Sequence, residues 1–290
     1  MKKAAVFLAL GLLLWGIVWG GQAQVERAPV LDAAFSLLEE DNIFLLRYNA
    51  LTGAEIEARF PQGVPYFFGG NDDKHLLFSR YPDYCKKACL ETTKYYREGQ
   101  KYIYGLDCSG FTRWVYREAG KPRHDTLSNM ILLYQQYAKN YVFTHRDGEK
   151  VPFFCDLYQY LQVGDLLVAK HGARHIMMYI GTLSDYGFTA EEAPQLADYL
   201  DYPLVIHCGP NPFYGERFAQ FIAENKQKYG DCTPTDGGVC VSILGVPLEK
   251  APEQVTMQKK DYSYFLIDEG RYMLTVWDLP GATSWCWFRM

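Results

Sequence analysis

The sequence predicts an α+β chain in which helices come first and an antiparallel sheet follows. Two observations carry this. Before residue 140 the apolar residues recur at helical spacing, as in Leu31, Ala34, Leu37, Leu38 and Leu45, and again in Phe111, Trp114 and Val115. After Val163 the pattern changes to short apolar runs of strand length punctuated by turn residues. Helices segregated from an antiparallel sheet define the α+β class. A third observation bears on organisation: no repeat, low-complexity tract or Gly/Ser linker divides residues 24–290, which read as one elaborated domain.

Lys2 and Lys3 precede an unbroken apolar run from Ala4 to Gly21, and Gly21-Gln22-Ala23 offers small residues for cleavage. Residues 1–23 therefore read as a secretory signal, with an uncleaved membrane anchor as the alternative because the run approaches the ~20 residues that span a bilayer. Either way the rest of the chain is expected outside the cytoplasm: extracellular, in the wall or in the periplasm. Loss of the two lysines moves the formal charge from −5 to −7, and no basic stripe remains, so nucleic acid is not an expected partner.

Helical spacing over residues 30–58 ends near Gly53. Pro61-Gln62-Gly63-Val64-Pro65 breaks it, and a polar stretch from Asn71 to Gln100 follows with a helix expected around Tyr84–Arg97. A helix from about Cys108 to Glu118 stops at Gly120 and Pro122, and another is expected over Leu127–Ala138. Asp165–Lys170 and Arg174–Gly181 form a hairpin around Gly172. Pro203–Cys208, Val239–Val246, Tyr262–Ile267, Arg271–Trp277 and Ser284–Phe288 supply the remaining strands, with a small helix at Ala190–Leu200. Of the eight cysteines, Cys85 and Cys89 lie one helical turn apart, a poor bridge geometry. Cys232 and Cys240 flank a turn-rich segment and are the better pair, against the alternative that the cysteines are reduced and buried.

The chemistry concentrates at Asp107-Cys108-Ser109-Gly110-Phe111. A helix N-terminus offers unpaired N–H groups and a positive dipole end, which favours a thiolate at Cys108. A cysteine nucleophile needs a base and a group that orients the base. His175 opens one strand and His207 ends another, so pairing of these strands would bring two imidazoles together near the cysteine helix. His171 or Asn211 could stand in for His207. A metal site built from His171, His175, His207 and Cys208 is disfavoured, because the i, i+4 spacing of the first two serves a helix and the pattern here is a strand.

Three blocks then occur in one order: Gly63-Val64-Pro65-Tyr66-Phe67-Phe68-Gly69-Gly70, Asp107-Cys108-Ser109-Gly110-Phe111, and Val163-Gly164-Asp165-Leu166 with His175-Ile176-Met177-Met178-Tyr179-Ile180-Gly181. Together they resemble the NlpC-type papain-like cell-wall peptidases over roughly residues 60–210. The resemblance implies a truncated papain-like fold with Cys108 as nucleophile, His175 as general base and acid, and His207 orienting His175. It implies Tyr66 beside the thiol as an oxyanion partner. Asp107 and Ser109 match positions that hold the amino end of a peptidoglycan stem peptide, although Asp107 read on its own could equally cap the helix. Relatives usually cut the amide between the γ-carboxyl of D-glutamate and the following diamino acid, without metal or organic cofactor.

The chain departs from the family by insertions near residues 71–106 and 182–202, both flanking the expected cleft. The expected activity is thus an exported cysteine peptidase acting on peptidoglycan stem peptides. The alternatives are an amidase or acyltransferase on the same Cys-His core, or a catalytically silent wall-binding module.

Overall fold

The computed structural model describes residues 29–39, 41–56, 63–71, 95–97, 100, 102–121, 142–144, 160–169, 175–191, 194–210, 222–228, 230–245, 275–277 and 284–289. The expected signal segment, the Cys85/Cys89 pair, the Leu127–Ala138 helix, the Gly172 turn and the Tyr262–Ile267 strand lie outside the described residues, as does most of the Tyr84–Arg97 helix. No helix among the described residues is long and apolar enough to cross a membrane.

The fold class is α+β. Helices α1 (Pro29–Ser36), α2 (Ile43–Thr52) and α3 (Cys108–Glu118) precede a seven-stranded sheet of β1 (Val142–Thr144), β2 (Leu166–Ala169), β3 (His175–Gly181), β4 (Leu204–Gly209), β5 (Gly238–Leu244), β6 (Thr275–Trp277) and β7 (Ser284–Phe288). The strand order is β1-β7-β2-β3-β4-β5-β6. Every pairing is antiparallel except β5 with β6, which corrects the expectation of a wholly antiparallel sheet at one edge. Strand β1 has no counterpart in the sequence reading, and the expected helix at Ala190–Leu200 is a 3-10 turn over Pro194–Tyr199.

The helical periodicity of residues 30–58 resolves into two helices with a physical cause for the break. The Leu37 carbonyl accepts the Val64 N–H at 2.8 Å, drawing the chain out of the helix. Gly63, at φ 59°, passes so close that a Cβ there would meet the Leu37 oxygen at 2.1 Å. Asn42 restarts the helix by accepting from the Phe44 and Leu45 N–H groups, and Gly53 closes it in the left-handed conformation.

Alternate residues of the central strands face the helices. Leu166 and Val168 of β2, Ile176, Met178 and Ile180 of β3, Leu204, Ile206 and Cys208 of β4, and Val239, Val241 and Ile243 of β5 share one core with Phe111, Trp114 and Val115 of α3. Full burial of each such side chain contributes roughly 1.5–3 kcal/mol, which fixes α3 across β3 and β4. At the far side, Arg289 beyond β7 donates two hydrogen bonds of 2.9 Å to the buried Asp165 carboxylate, locking the last strand to the start of β2.

The N-terminus of α3 fits its bed through a glycine seam. A Cβ on Gly110 would meet the Gly70 oxygen at 1.8 Å, one on Gly70 the Gly105 oxygen at 2.2 Å, and one on Gly105 the Pro65 oxygen at 1.9 Å. All three obstacles are backbone atoms, which cannot swing away. Gly110→Ala is therefore expected to destabilise the fold by about 3 kcal/mol or more, at the upper end of overpacking effects, read as a lower urea midpoint. An unchanged midpoint would show that the seam yields.

Candidate active site

Asp107 is the N-cap of α3. One carboxylate oxygen accepts the Gly110 N–H at 2.7 Å and the Ser109 hydroxyl at 2.8 Å, and the other accepts the Gly69 N–H at 3.1 Å. The same carboxylate thus caps the helix and ties it to the segment carrying Tyr66. Burial raises the Asp107 pKa, and these three donors together with the Ser109 backbone N–H oppose that rise. Ser109 is buried and spends its hydroxyl on Asp107.

Cys108 is the first residue of α3 and keeps partial exposure. Backbone N–H groups of Ile176, Ser109 and Cys108 itself point to its sulfur, so the thiol lies where the helix start meets the start of β3. The expected depression of its pKa is overturned. Burial, then the Asp107 charge, push the thiol up to about 12, outweighing the N–H groups that favour the thiolate. The helix end is present, but it acts on a sulfur largely enclosed by protein and next to the Asp107 carboxylate.

His175 and His207 are brought together as the strand parity allows. His175 Nε2 and His207 Nδ1 are 2.9 Å apart, with the rings perpendicular and their centroids 4.8 Å apart. His175 is 4% exposed and His207 is fully buried. Burial pushes His175 down to about 3, and His207 well below the ordinary histidine value, the latter also through the charge of His175. Both imidazoles are neutral at neutral pH. His171 and Asn211, the other candidates for the third position, lie outside the described residues.

Tyr66 is buried, and its hydroxyl pKa is raised by burial and then by the charges of Cys108 and Asp107, which puts it in the neighbourhood of that thiol and carboxylate. Its backbone N–H donates to Gly237 O at 2.9 Å, and its ring meets Tyr95 edge-on at 6.0 Å. Half-buried Phe68 stacks on the same Tyr95 ring at 6.0 Å. Tyr95 comes from the stretch between Gly70 and Asp107, which thereby supplies aromatic surface next to Tyr66.

The sequence pattern carries no sign that Ser242 and Cys240 meet His207, or that Cys208 is tied to Leu106. Ser242 Oγ lies 2.8 Å from His207 Nε2, and Cys240 Sγ lies 3.5 Å from the same nitrogen. Cys208 donates its thiol hydrogen bond to Leu106 O at 3.0 Å, tethering β4 to the residue before the Asp107 cap. What marks Ser242 in the sequence is only that it is the one hydroxyl in the otherwise apolar run Val239-Cys240-Val241-Ser242-Ile243-Leu244. The expected Cys232–Cys240 bridge does not form. Both are thiols, Cys232 buried against Leu45, Tyr48 and Ile103 and Cys240 beside His207. Among the described residues no group of three or more His, Cys, Asp or Glu side chains is arranged to hold a metal ion.

The folded protein withholds protons from His175 and His207 that the unfolded chain binds below about pH 6.5. Stability from these groups is therefore present above that pH and lost as pH falls. Thermal unfolding of wild type and His207→Asn across about pH 4.5–7.5 is expected to show a shallower acid-side decline in the variant, which has one such group fewer. Equal slopes would mean that His207 is charged in the folded state.

No curated protein and no solved structure matches the chain. Residues 63–186, a span that includes Tyr66, Cys108 and His175, match the model of the NlpC/P60 family, and the chain is similar to that family over this stretch.

Proposed function

We propose that this chain is an exported cysteine peptidase that hydrolyses amide bonds in peptidoglycan stem peptides, at the γ-D-glutamyl–diamino acid bond. The observation that carries the reading is the 2.9 Å contact between His175 and His207 beside the N-terminus of the helix that begins with Cys108. Export rests on the apolar segment within residues 1–23. The choice of bond rests on the family resemblance of the three blocks around Tyr66, Cys108 and His175.

The resting pair is thiol and imidazole. His175 uses Nε2 toward His207, and in this reading Nδ1 takes the thiol proton. As the sulfur attacks the amide carbonyl, the proton passes to Nδ1, and charge appears only when the carbonyl oxygen is taking up charge of its own. In this reading the Tyr66 hydroxyl and the Cys108 backbone N–H receive that oxygen, a role that the effect of the Cys108 charge on Tyr66 supports. Imidazolium His175 then protonates the departing amine, and neutral His175 activates water to hydrolyse the thioester. Asp107, whose carboxylate already receives the Gly110, Gly69 and Ser109 N–H groups and the Ser109 hydroxyl, acts by positioning α3 and the Tyr66 segment.

Cys108→Ala is expected to lower release of cleaved stem peptides by about 1,000-fold or more while the protein keeps its thermal midpoint, with the cut bond read by mass spectrometry of the muropeptide fragments. Cleavage that persists in this variant would remove Cys108 as the nucleophile, and fragments from another bond would redirect the specificity. Alkylation of Cys108 by iodoacetamide gives a separate check. With the thiol pushed up to about 12 and His175 down to about 3, the substrate-free rate should climb steadily with pH between about 6 and about 9. A fast plateau below about pH 6 would show a preformed ion pair instead.

A further inference from the structure

We infer that Ser242 is a positioning residue that sets the tautomer of His207 and, through it, which nitrogen of His175 can take a proton. The inference rests on the proposed reading of Cys108 and His175 as the reacting pair, and it adds a member that lies on β5, beyond residues 63–186.

His175, His207 and Ser242 form a line of short contacts, 2.9 Å from His175 Nε2 to His207 Nδ1 and 2.8 Å from His207 Nε2 to Ser242 Oγ. His207 and Ser242 are each fully buried. Burial also keeps both rings neutral, so each carries one N–H, and the two rings can be arranged in only two ways that satisfy the contact between them. In one, Ser242 accepts from His207 Nε2–H, His207 Nδ1 accepts from His175 Nε2–H, and His175 Nδ1 is a base. In the other, Ser242 donates to His207 Nε2, His207 Nδ1–H donates to His175 Nε2, and Nδ1 of His175 carries the proton and cannot act as a base. Proton transfer from Cys108 requires the first arrangement. The hydroxyl on β5 is the nearer of the two groups that meet His207 Nε2, and by accepting there it favours this arrangement.

The strands explain why the hydroxyl stands there. His207 pairs with Cys240 and Val205 with Ser242, so His207, Cys240 and Ser242 project to one side of the β4–β5 ladder. Strand β5 lies between β4 and β6, which keeps Ser242 in the sheet interior. Cys240 reaches the same His207 nitrogen, but at 3.5 Å and through sulfur, a weaker acceptor than the hydroxyl oxygen at 2.8 Å. Once the proton reaches His175 Nδ1, His175 Nε2–H still needs His207 Nδ1 as acceptor. The orientation set by Ser242 therefore supports the imidazolium as well as the resting base.

The test is nitrogen-15 NMR of histidine-labelled full-length protein, which distinguishes protonated from unprotonated ring nitrogens without substrate. In the wild type His207 is expected to be protonated at Nε2 and His175 to be unprotonated at Nδ1. The opposite pattern overturns the inference whatever the protein hydrolyses. Ser242→Ala should raise the population of His207 protonated at Nδ1 and lower kcat about 10- to 100-fold, comparable to losing an outer group that orients an imidazole, with KM changed less than about twofold. Ser242→Thr, which restores the hydroxyl, should return the wild-type tautomer, and Cys240→Ala should leave it in place. An unchanged tautomer in Ser242→Ala, or an equal effect from Cys240→Ala, would overturn the assignment to Ser242. A wild-type tautomer as inferred, together with no hydrolysis of stem peptides, would leave the positioning role standing and remove the substrate reading instead.

Discussion

The site depends on the seating of one helix end. The N-terminus of α3 must approach the 63–71 and 102–107 segments at a distance that only glycine permits, and Gly70, Gly105 and Gly110 supply that clearance. Asp107 then holds the three pieces together, because its two oxygens accept from α3 and from Gly69. Placement of Cys108, of Tyr66 and of the backbone N–H groups around the sulfur all descend from this contact. A carboxylate with these partners is buried at a cost, and its charge also acts on the thiol next to it.

That charge, with burial, explains why the thiol rests neutral. A helix end contributes on the order of 0.3–1 kcal/mol, up to about 2 in partly buried settings, whereas each unit of pKa is about 1.4 kcal/mol. A rise to about 12 is far beyond what the dipole can cancel. Dry histidines follow the same rule in the opposite direction. The consequence is a thiol and imidazoles that carry no charge separation at neutral pH. If Cys108 and His175 react as proposed, the imidazole tautomers must be fixed in advance, since no ion pair organises them.

How much of this was legible in the sequence follows from the range of the interactions. The helix over Cys108–Glu118 and the strands at His175–Gly181 and Ser284–Phe288 could be read because cap, stripe and alternation are local. Helices α1 and α2 merged into one period because the break is made by Val64 and Gly63, more than twenty residues further along. Parity put His175 and His207 on strands, but their 2.9 Å contact needed the β3–β4 register, which shifts between Tyr179 and Gly181. The neutral thiol was hidden for another reason: local sequence displays the helix end and says nothing of how much protein closes over the sulfur. The parallel β5–β6 pairing was equally out of reach, because sequence pattern does not encode strand direction.

The two ends of the site are held by different means, and this bears on how the insertions fit. Between Gly70 and Asp107 the extra chain is stitched outward: Ile103 N–H donates to Cys232 O at 2.7 Å, and Arg97 lies 3.8 Å from the Asp231 carboxylate. Returning inward, it delivers Tyr95 to the Tyr66 ring and Leu106 to the Cys208 thiol. The described part of this segment is therefore joined to β4 at Cys208, to the loop before β5 at Cys232, and to the start of α3 at Asp107. Because Tyr95 and Leu106 belong to this one stretch, the seating of α3 against β4 and the aromatic surface beside Tyr66 depend on the same length of chain.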